Sequence, residues 1–561
     1  MKALLNGADA SSPPWRQLSA FAGVLLGFEG SVPGILRTQT RRRLEETIVE
    51  SANAALGTEH AGDRQALDSV ILILSHVCPV VRPDALNNLQ FDMVLQQYTH
   101  ATLFSEQGLH SGYFLGAINA DVVQVARSQF SWSKSSLSFQ QIEGISQSPM
   151  IAGLGSLSLL GAMVIERVRN IDGLRQTLSD ISTFARSLLV QWRQNKLSEI
   201  DPSEETAFLT PSTIQTTLPL LWQILRSAVF HAVTLLQAIL QRLVISSVAD
   251  DSFALFVATE TLQTLRELAF ITHHGHAARF SQYHFSLLSA VDILAQYPQE
   301  ALGFLHRISG QHKGVIPHHP VDRCLDQFYF NLAEHFATVL PPAGCETLLI
   351  DPARPYLLSN GDPRLTEIFE SAHCVVLAVF SQPQNHPLLQ KHLHFYLDVL
   401  FESFPQALSA RQFRLAIKTL VYATSLPNED LSDTGLLPPT ILEIVKWRLD
   451  NPGPSDLEIR PNATEDVQLP NLTPQSAYLL SIIDSLPILP SHDMDTWLRI
   501  VAESTRQVSD PAQARLCIER FGEVLQDGSM DTERASRCIS WWNSYGGRET
   551  IAAVLAEQKP A

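Results

Sequence analysis

Apolar residues recur every three or four positions along most of this chain, and no segment shows the sustained alternation of a β-strand. This period places the apolar side chains on one face of a helix. Proline, glycine, serine and asparagine separate the periodic segments, as they do between helices. The pattern predicts helices over residues 41–56, 63–77, 82–102, 121–130, 150–196, 213–248, 252–271, 279–296, 322–339, 362–380, 386–404, 410–425 and 439–449.

The helices follow one another as antiparallel pairs without a strict short repeat. We therefore predict an all-α fold, built as an irregular α-solenoid or as stacked helical bundles, with a C-terminal helical unit. Eight of the 32 prolines fall between Pro427 and Pro474 beside several acidic residues, which indicates a solvated linker around one helix. The predicted segments are an N-terminal helical array at 1–200, a central helical array at 210–426, a Pro-rich acidic linker at 427–474 and a C-terminal helical unit at 475–561.

The C-terminal unit carries clear helix boundaries. Asp510 before Pro511 predicts one helix start, and Ser491 is predicted to cap another. Core packing is the expected role of Trp541 and Trp542, and an exposed docking contact is the alternative. The residues predicted to face the core are Ala514, Cys517, Phe521, Val524 and Leu525 in one helix and Ala535, Cys538, Ile539 and Trp542 in the next.

Composition narrows the classes of function. The chain has 561 residues, enough for more than one domain, and 45% of them are hydrophobic while 17% are charged, which is typical of a folded protein. It carries 57 acidic against 40 basic residues, a net charge of −17. A phosphate backbone needs surplus positive charge, so we expect no nucleic-acid partner.

Two segments raise the question of membrane insertion. Residues 218–248 carry only Arg226 and Arg242 as charged side chains, but the run between them is 15 residues, shorter than the roughly 20 that span a bilayer. Residues 144–165 are uncharged, but their apolar block is also short and rich in glycine and serine. We predict a buried helix and a site of close helix packing, with peripheral membrane association. The first segment carries a narrow polar stripe of Gln223, Ser227, His231, Thr234, Gln237 and Gln241.

No motif for catalysis or metal binding is present in the sequence. Thirteen of the 19 histidines lie between His273 and His394, but without the spacing of a metal site, so we expect them at the surface or at helix caps. The six cysteines are scattered and predict buried free thiols in a reducing or neutral compartment. We therefore predict no catalytic residue, no cofactor and no metal ligand, and a binding scaffold rather than an enzyme.

The last part of the chain resembles the fungal peroxin 8 family. The residues that carry the resemblance are 486–490, 497–503, 521–525, 530–531, 541–542 and 546–548, all within 478–549. The resemblance implies a peripheral protein on the matrix face of the peroxisomal membrane. Such a protein would link the docking and ubiquitin-ligase parts of the import machinery and bind the cycling cargo receptor. The candidate partner-binding residues are Trp541, Trp542 and Arg548.

The chain departs from the family pattern at several positions. It ends at Lys559-Pro-Ala561 rather than in a Ser-Lys-Leu type tripeptide, it has no N-terminal two-part address, and Gly522 stands where a bulky aromatic residue is expected. Entry into the organelle would then use an internal surface or a partner. Two alternatives remain: an unrelated helical-repeat adaptor in cytosol or nucleus, and a helical enzyme with a convergent site.

Overall fold

The computed structural model describes most of the chain. The residues it describes are 12–31, 38–57, 64–125, 129–245, 250–274, 280–310, 314–359, 362–426, 436–451, 472–508, 510–526, 528, 530–544 and 547. Two parts of the predicted linker, 427–435 and 452–471, and the predicted contact residue Arg548 lie outside these residues.

The described chain is helical almost throughout, which confirms the all-α prediction. In the first half the α-helices are α1 Pro14–Ser31, α2 Thr38–Leu56, α3 Arg64–Val77, α4 Pro83–Leu86, α5 Phe91–Thr99, α6 Phe114–Asp121, α7 Leu137–Gln147, α8 Pro149–Ala152, α9 Leu154–Arg167, α10 Ile171–Arg193, α11 Glu205–Phe208, α12 Leu218–Ile245, α13 Asp251–Glu267, α14 Ala269–His273, α15 Ser281–Ala295 and α16 Pro298–Ile308.

The remaining α-helices are α17 Pro320–Ala333, α18 Pro342–Cys345, α19 Asp351–Leu357, α20 Thr366–Phe380, α21 His386–Ser403, α22 Ala410–Ser425, α23 Leu437–Asp450, α24 Pro474–Ser485, α25 Met494–Arg506, α26 Pro511–Leu525 and α27 Thr532–Ser544. Short π-helical turns at His100–Phe104, Thr213–Thr217 and Glu346–Ile350 join neighbouring helices. Single 3₁₀ turns lie at His110–Gly112, Lys196–Glu199, Pro202–Glu204, Glu334–Phe336, Pro363–Leu365, Pro383–Asn385, Leu486–Ile488 and Ser491–Asp493.

The helix predicted at 121–130 is wrong. The chain leaves α6 at Asp121 and forms a short antiparallel hairpin of β1 Val122–Gln124 and β2 Phe130–Trp132, with Val122 opposite Trp132. The Trp132 side chain is fully buried and its indole N–H donates to Ser138 Oγ at 3.0 Å. Burial of this large side chain, together with the β-branched valine opposite, favours the extended conformation here.

Two other predicted helices are interrupted in the structure, and some of the observed helices were not predicted. The helix predicted at 150–196 is interrupted between α9 and α10, where the Asn170 side chain accepts a hydrogen bond from the Asp172 N–H and starts a new helix. The helix predicted at 82–102 is divided into α4, α5 and a π turn. The helices α1, α7 and α16 were not predicted.

Contacts divide the chain into two compact units. Unit 1 comprises Met1–Ile308 and Pro317–Tyr329, and unit 2 comprises Ser309–Ile316 and Phe330–Ala561. The four-segment division predicted from composition stays a prediction.

The helix α12 is the central element of unit 1 and packs against α9, α13 and α15. Among the described helices, only the continuous segment Thr213–Ile245 is long and apolar enough to cross a bilayer, and 56% of its most apolar window is buried inside the protein. His231, predicted in a polar stripe, is fully buried with Nδ1 at 2.9 Å from Ser158 Oγ. Burial lowers the pKa of His231 to about 3, so this histidine is neutral in the folded protein.

Close packing of α9 explains the glycine in its apolar block. A Cβ at Gly161 would lie 2.5 Å from Leu235 Cδ2 on α12 and still closer to the Tyr98 hydroxyl, which donates to the Leu157 carbonyl at 2.8 Å. No side chain larger than hydrogen fits there without displacement of its neighbours. The predicted site of close helix packing is therefore confirmed at Gly161.

Candidate interaction surface on the C-terminal helices

The helix α24 is the core of the C-terminal part of unit 2. Every residue from Ser476 to Ser485 is buried, and α22, α23, α25 and α26 pack around this helix. A helix that is apolar all round requires such cover on all sides. Its start is set by Thr473, whose hydroxyl accepts from the Ser476 N–H at 3.2 Å, and by Pro474 at the first helical position.

A single carboxylate connects α24 to two of its neighbours. Asp484 Oδ2 accepts from Arg414 Nε at 2.8 Å and Nη2 at 2.6 Å, and Asp484 Oδ1 accepts from Arg520 Nε at 2.8 Å. The Asp484 side chain is only 8% exposed. These charge-assisted bonds tie α22 and α26 to α24 and hold the outer helices in place.

The structure corrects the prediction for the tandem tryptophans. Trp541 is buried, its ring centroid lies 5.8 Å from that of Phe521, and a Cβ at Gly547 would lie 2.5 Å from Trp541 Cζ3. Trp542 is only partly buried, and Ile539, predicted in the core, is 61% exposed. The inward face of α27 therefore passes through Cys538, as predicted, and through Trp541, whereas Ala535 and Trp542 are only partly buried. Trp541 could contact a partner only if the core around it opened.

The other predictions for these helices have mixed outcomes. Asp510 caps α26 by accepting from the Ala512 N–H at 2.8 Å, as predicted, and the predicted apolar residues of α26 are buried except Leu525, which is partly exposed. The Ser491 cap is wrong: Ser491 begins a 3₁₀ turn, and α25 starts after Asp493 without a side-chain cap. No atom lies within 4 Å of a Cβ at Gly522, so the position has room for a larger side chain.

The outer face of α22 is both apolar and basic. Arg411, Leu415, Lys418 and Tyr422 are all exposed, and their spacing of four, three and four places them in one line along the helix. Leu415 is 59% and Tyr422 47% exposed. No acidic residue occurs between positions 410 and 426. This line of side chains lies opposite the buried face of α22.

The neighbouring helix α23 continues this exposed surface. Trp447 is 58% and Ile444 37% exposed, and the Arg448 guanidinium lies 5.4 Å from the centre of the Trp447 ring and 5.6 Å from that of Phe401. Phe401 lies 5.7 Å from Phe413 near the start of α22. The end of α23 therefore lies beside the beginning of α22, and the two packed helices are antiparallel.

We call this region the α22–α23 surface. It is defined by Arg411, Leu415, Lys418, Tyr422, Ile444, Trp447 and Arg448. Large apolar side chains exposed together mark interaction sites, and Trp, Tyr and Arg are the residues enriched at the energetic centres of protein interfaces. The sequence analysis missed the surface, although the predicted helix 410–425 has the bounds of α22 and the spacing of its exposed residues is readable in the sequence.

Those of the clustered histidines that the structure describes do not form a metal site. Among the described residues, no group of three or more His, Cys, Asp or Glu side chains could hold a metal ion. The expectation of surface histidines is wrong for His373, His386 and His392, which are buried. His373 Nδ1 lies 2.9 Å from the Tyr396 hydroxyl, and burial lowers its pKa to about 3; His392 Nε2 lies 2.9 Å from Glu346 Oε1. These histidines are packing elements of unit 2.

The cysteines are free thiols and follow the prediction in part. Cys78, Cys345, Cys517 and Cys538 are buried, whereas Cys324 is partly exposed and Cys374 is exposed. Burial raises the pKa of Cys78 and Cys517 to about 12, so these two thiols remain protonated and unreactive.

Unit 1 has a groove of about 630 Å³. It lies between the segment α8–α9 and α12, and its lining includes Gly155, Gln223, Arg226 and Phe230 but no carboxylate. A catalytic site requires convergent titratable groups with perturbed pKa values. This groove does not supply them.

Three family models match successive parts of the chain. Residues 1–85 match the peroxin 8 protein-like N-terminal domain, residues 301–381 the PEX8 central TPR-like domain, and residues 388–550 the PEX8 C-terminal domain. The chain belongs to the peroxin 8 family. The family's C-terminal domain contains the whole α22–α23 surface and all of α24. Membership removes the alternative of an unrelated helical adaptor.

Two curated relatives are similar to this peroxin 8 family member. Peroxisomal biogenesis factor 8 of Komagataella phaffii is 21% identical over 601 residues, covering 96% of this chain and 79% of that protein. Peroxisomal membrane protein PEX17 of Yarrowia lipolytica is 25% identical over 318 residues, covering 52% of this chain and 47% of that protein, so the match spans about half of the relative. Both names link the chain to peroxisome biogenesis.

Among solved structures, the crystal structure of an engineered protein aligns with 95% of this chain and 99% of its own, at a TM-score of 0.27 and 10% identity. At that score the likeness carries no argument about topology.

Proposed function

We propose that this chain is a non-catalytic scaffold of peroxisomal matrix-protein import. In this role it lies on the matrix face of the membrane, binds the cycling cargo receptor and links the docking and ubiquitin-ligase parts of the import machinery. Family membership and the peroxisomal names of both relatives support the process. An all-helical fold with exposed helix faces suits a protein that binds several partners.

The observation that carries the proposal is the α22–α23 surface. Its exposed aromatic and basic side chains stand on helices held rigidly by α24 and by the Asp484 bonds. Rigid anchors lose little conformational entropy on binding, so such a surface is pre-formed for a partner. A receptor that is recognised here needs no C-terminal tripeptide on this chain.

Peripheral attachment to the membrane is part of the proposal. The one described segment of sufficient length, Thr213–Ile245, packs most of its apolar side chains against other helices of unit 1. Extraction from the protein core would expose those neighbours to water. We expect alkaline carbonate to release the protein from peroxisomal membranes, and retention with integral proteins would contradict this part.

Complementation of a gene deletion tests the function. Loss of the gene should leave matrix reporters in the cytosol while peroxisomal membranes persist, because import fails but membrane assembly does not. The double variant Trp447→Ala with Tyr422→Ala should restore neither import nor co-precipitation of the receptor. Leu358→Ala is the matched control, since Leu358 is 62% exposed in the same unit but lies outside the surface.

Two outcomes would contradict the proposal. Normal matrix import in the deletion strain would remove the chain from import altogether. Full rescue and receptor binding by the double variant would leave the process in place but exclude the α22–α23 surface as the receptor site.

A further inference from the structure

We infer that the α22–α23 surface binds a single amphipathic helix of a partner protein, and that this helix carries acidic residues beside its apolar stripe. The inference rests on the proposed function in one respect, which is that the α22–α23 surface is a binding site. The partner is defined by its chemistry and not by its identity.

The shape of the exposed line indicates a helix as the ligand. Leu415 and Tyr422 are separated by seven positions on α22, and Trp447 stands at the adjoining end of the antiparallel α23. Anchors repeated at a seven-residue interval match the apolar positions of a partner helix lying along α22. With 16 residues, α22 offers a track about 24 Å long, the length of a helix of four to five turns.

Charge indicates the composition of that helix. The chain as a whole has a net charge of −17, yet the outer line of α22 carries Arg411 and Lys418 and no acidic residue. On one side of the line, Arg414 is already bound to Asp484. The two outer cations therefore remain for a ligand, and acidic residues flanking an apolar stripe would complement them.

The same charges argue against two other occupants. A membrane with anionic lipids would meet Glu443 and Asp450, which are exposed on α23, and the two cations of α22 supply too little attraction for stable anchoring. In a symmetric dimer formed along α22, Arg411 and Lys418 of one copy would face the same cations of the other. An acidic helix meets neither obstacle, because its acidic side chains can lie over α22 alone.

Selection from a peptide library tests the inference without a known partner. Helical peptides of about 16 residues with a constant apolar stripe and randomised flanking positions are displayed and selected on the purified full-length protein. We expect the retained peptides to carry Asp or Glu at the flanking positions. Trp447→Ala should weaken a retained peptide about 30-fold, the loss expected at an interface hot spot, and Lys418→Glu about tenfold or more.

Matched variants separate the surface from general effects. Leu358→Ala and Arg499→Glu change one exposed apolar and one exposed basic residue outside the surface and should leave peptide affinity unchanged. Circular dichroism shows whether each variant keeps its helices. Retained peptides that are neutral or basic, or whose affinity is the same for wild type and Trp447→Ala, would overturn the inference.

The alternative occupants have their own readouts. Flotation of the wild type with phosphatidylserine vesicles, lost in Trp447→Ala, would assign the surface to a membrane and overturn the inference. Self-association in analytical ultracentrifugation, lost in the same variant, would assign it to a second copy with the same consequence. If the peptide test fails while import is still lost in the double variant, the helix ligand is refuted and the proposed function stands.

Discussion

Asp484 connects three of the C-terminal helices, and its loss should weaken the packing of all three. It is 8% exposed and accepts three hydrogen bonds of 2.6 to 2.8 Å from two guanidinium groups. In Asp484→Asn the side chain keeps its size but loses its charge, so Arg414 loses its counter-ion and Arg520 keeps only Glu523, at 2.8 Å from its Nη1. Removal of one partner from a buried ion pair costs about 3 to 5 kcal/mol.

The solvent exposure of Arg414 and Arg520 determines where in the range of about 3 to 5 kcal/mol the loss of stability falls. Arg414 is 18% exposed and is desolvated, whereas Arg520 is 39% exposed and can recover hydration when its partner is removed. We therefore expect about 3 kcal/mol for Asp484→Asn, and about 1 kcal/mol or less for Arg520→Ala. Loosening of α22 and α26 should expose the α24 amides to exchange, because these two helices cover α24 and are bound to Asp484.

Hydrogen exchange of the α24 amides is the suitable assay. Hydrogen exchange resolves individual helices, which a melting temperature of a chain with two compact units does not. Asp495→Asn is the control: Asp495 is 52% exposed at 3.4 Å from Arg537, and its loss should cost less than about 0.5 kcal/mol. If Asp484→Asn changed the exchange of α24 no more than Asp495→Asn does, the carboxylate would not hold these helices together.

Three further predictions test other parts of the structure. Burial lowers the pKa of His373 to about 3, so the stability it contributes is complete above the unfolded pKa of about 6.5 and is lost as the pH falls towards 3. Unit 2 should lose about 2 kcal/mol from this residue between pH 8 and about pH 5, and an unchanged pH dependence of denaturant unfolding in His373→Gln would contradict this. Gly161→Ala should destabilise the protein by about 1 to 3 kcal/mol, because the new methyl group would overlap its neighbours. Gly155 has open space around it, so Gly155→Ala should be neutral or stabilise by up to about 1 kcal/mol. Equal melting temperatures of the two variants would refute the packing argument. Trp541→Ala should destabilise unit 2 by about 3 to 5 kcal/mol, and Ile539→Ala by less than about 0.5 kcal/mol. If denaturant unfolding showed a larger loss of stability for Ile539→Ala, Trp541 would not lie on the buried face of α27.

The exposed residues of α22 could be predicted from the sequence, but their place in the candidate surface could not. The bounds of α22 follow from an apolar period that is a local property of residues 410–425, and the exposed line from Arg411 to Tyr422 is the complement of that period. Local periodicity does not show, however, which helix packs against α22. Only the packing of α23 against α22 brings the exposed residues of the two helices together.

The sequence by itself determined that the chain is helical and that it resembles the peroxin 8 family, because helix period and family pattern are both properties of neighbouring residues. Tertiary structure decided which of two adjacent tryptophans is buried, since either could follow the apolar period and the contact with Phe521 selects Trp541. It also decided that Val122–Gln124 and Phe130–Trp132 pair as strands where a helix was predicted. Asp484 is bound by arginines 70 and 36 positions away. Partners so distant in the chain meet only when the helices pack, and so no local pattern predicts them.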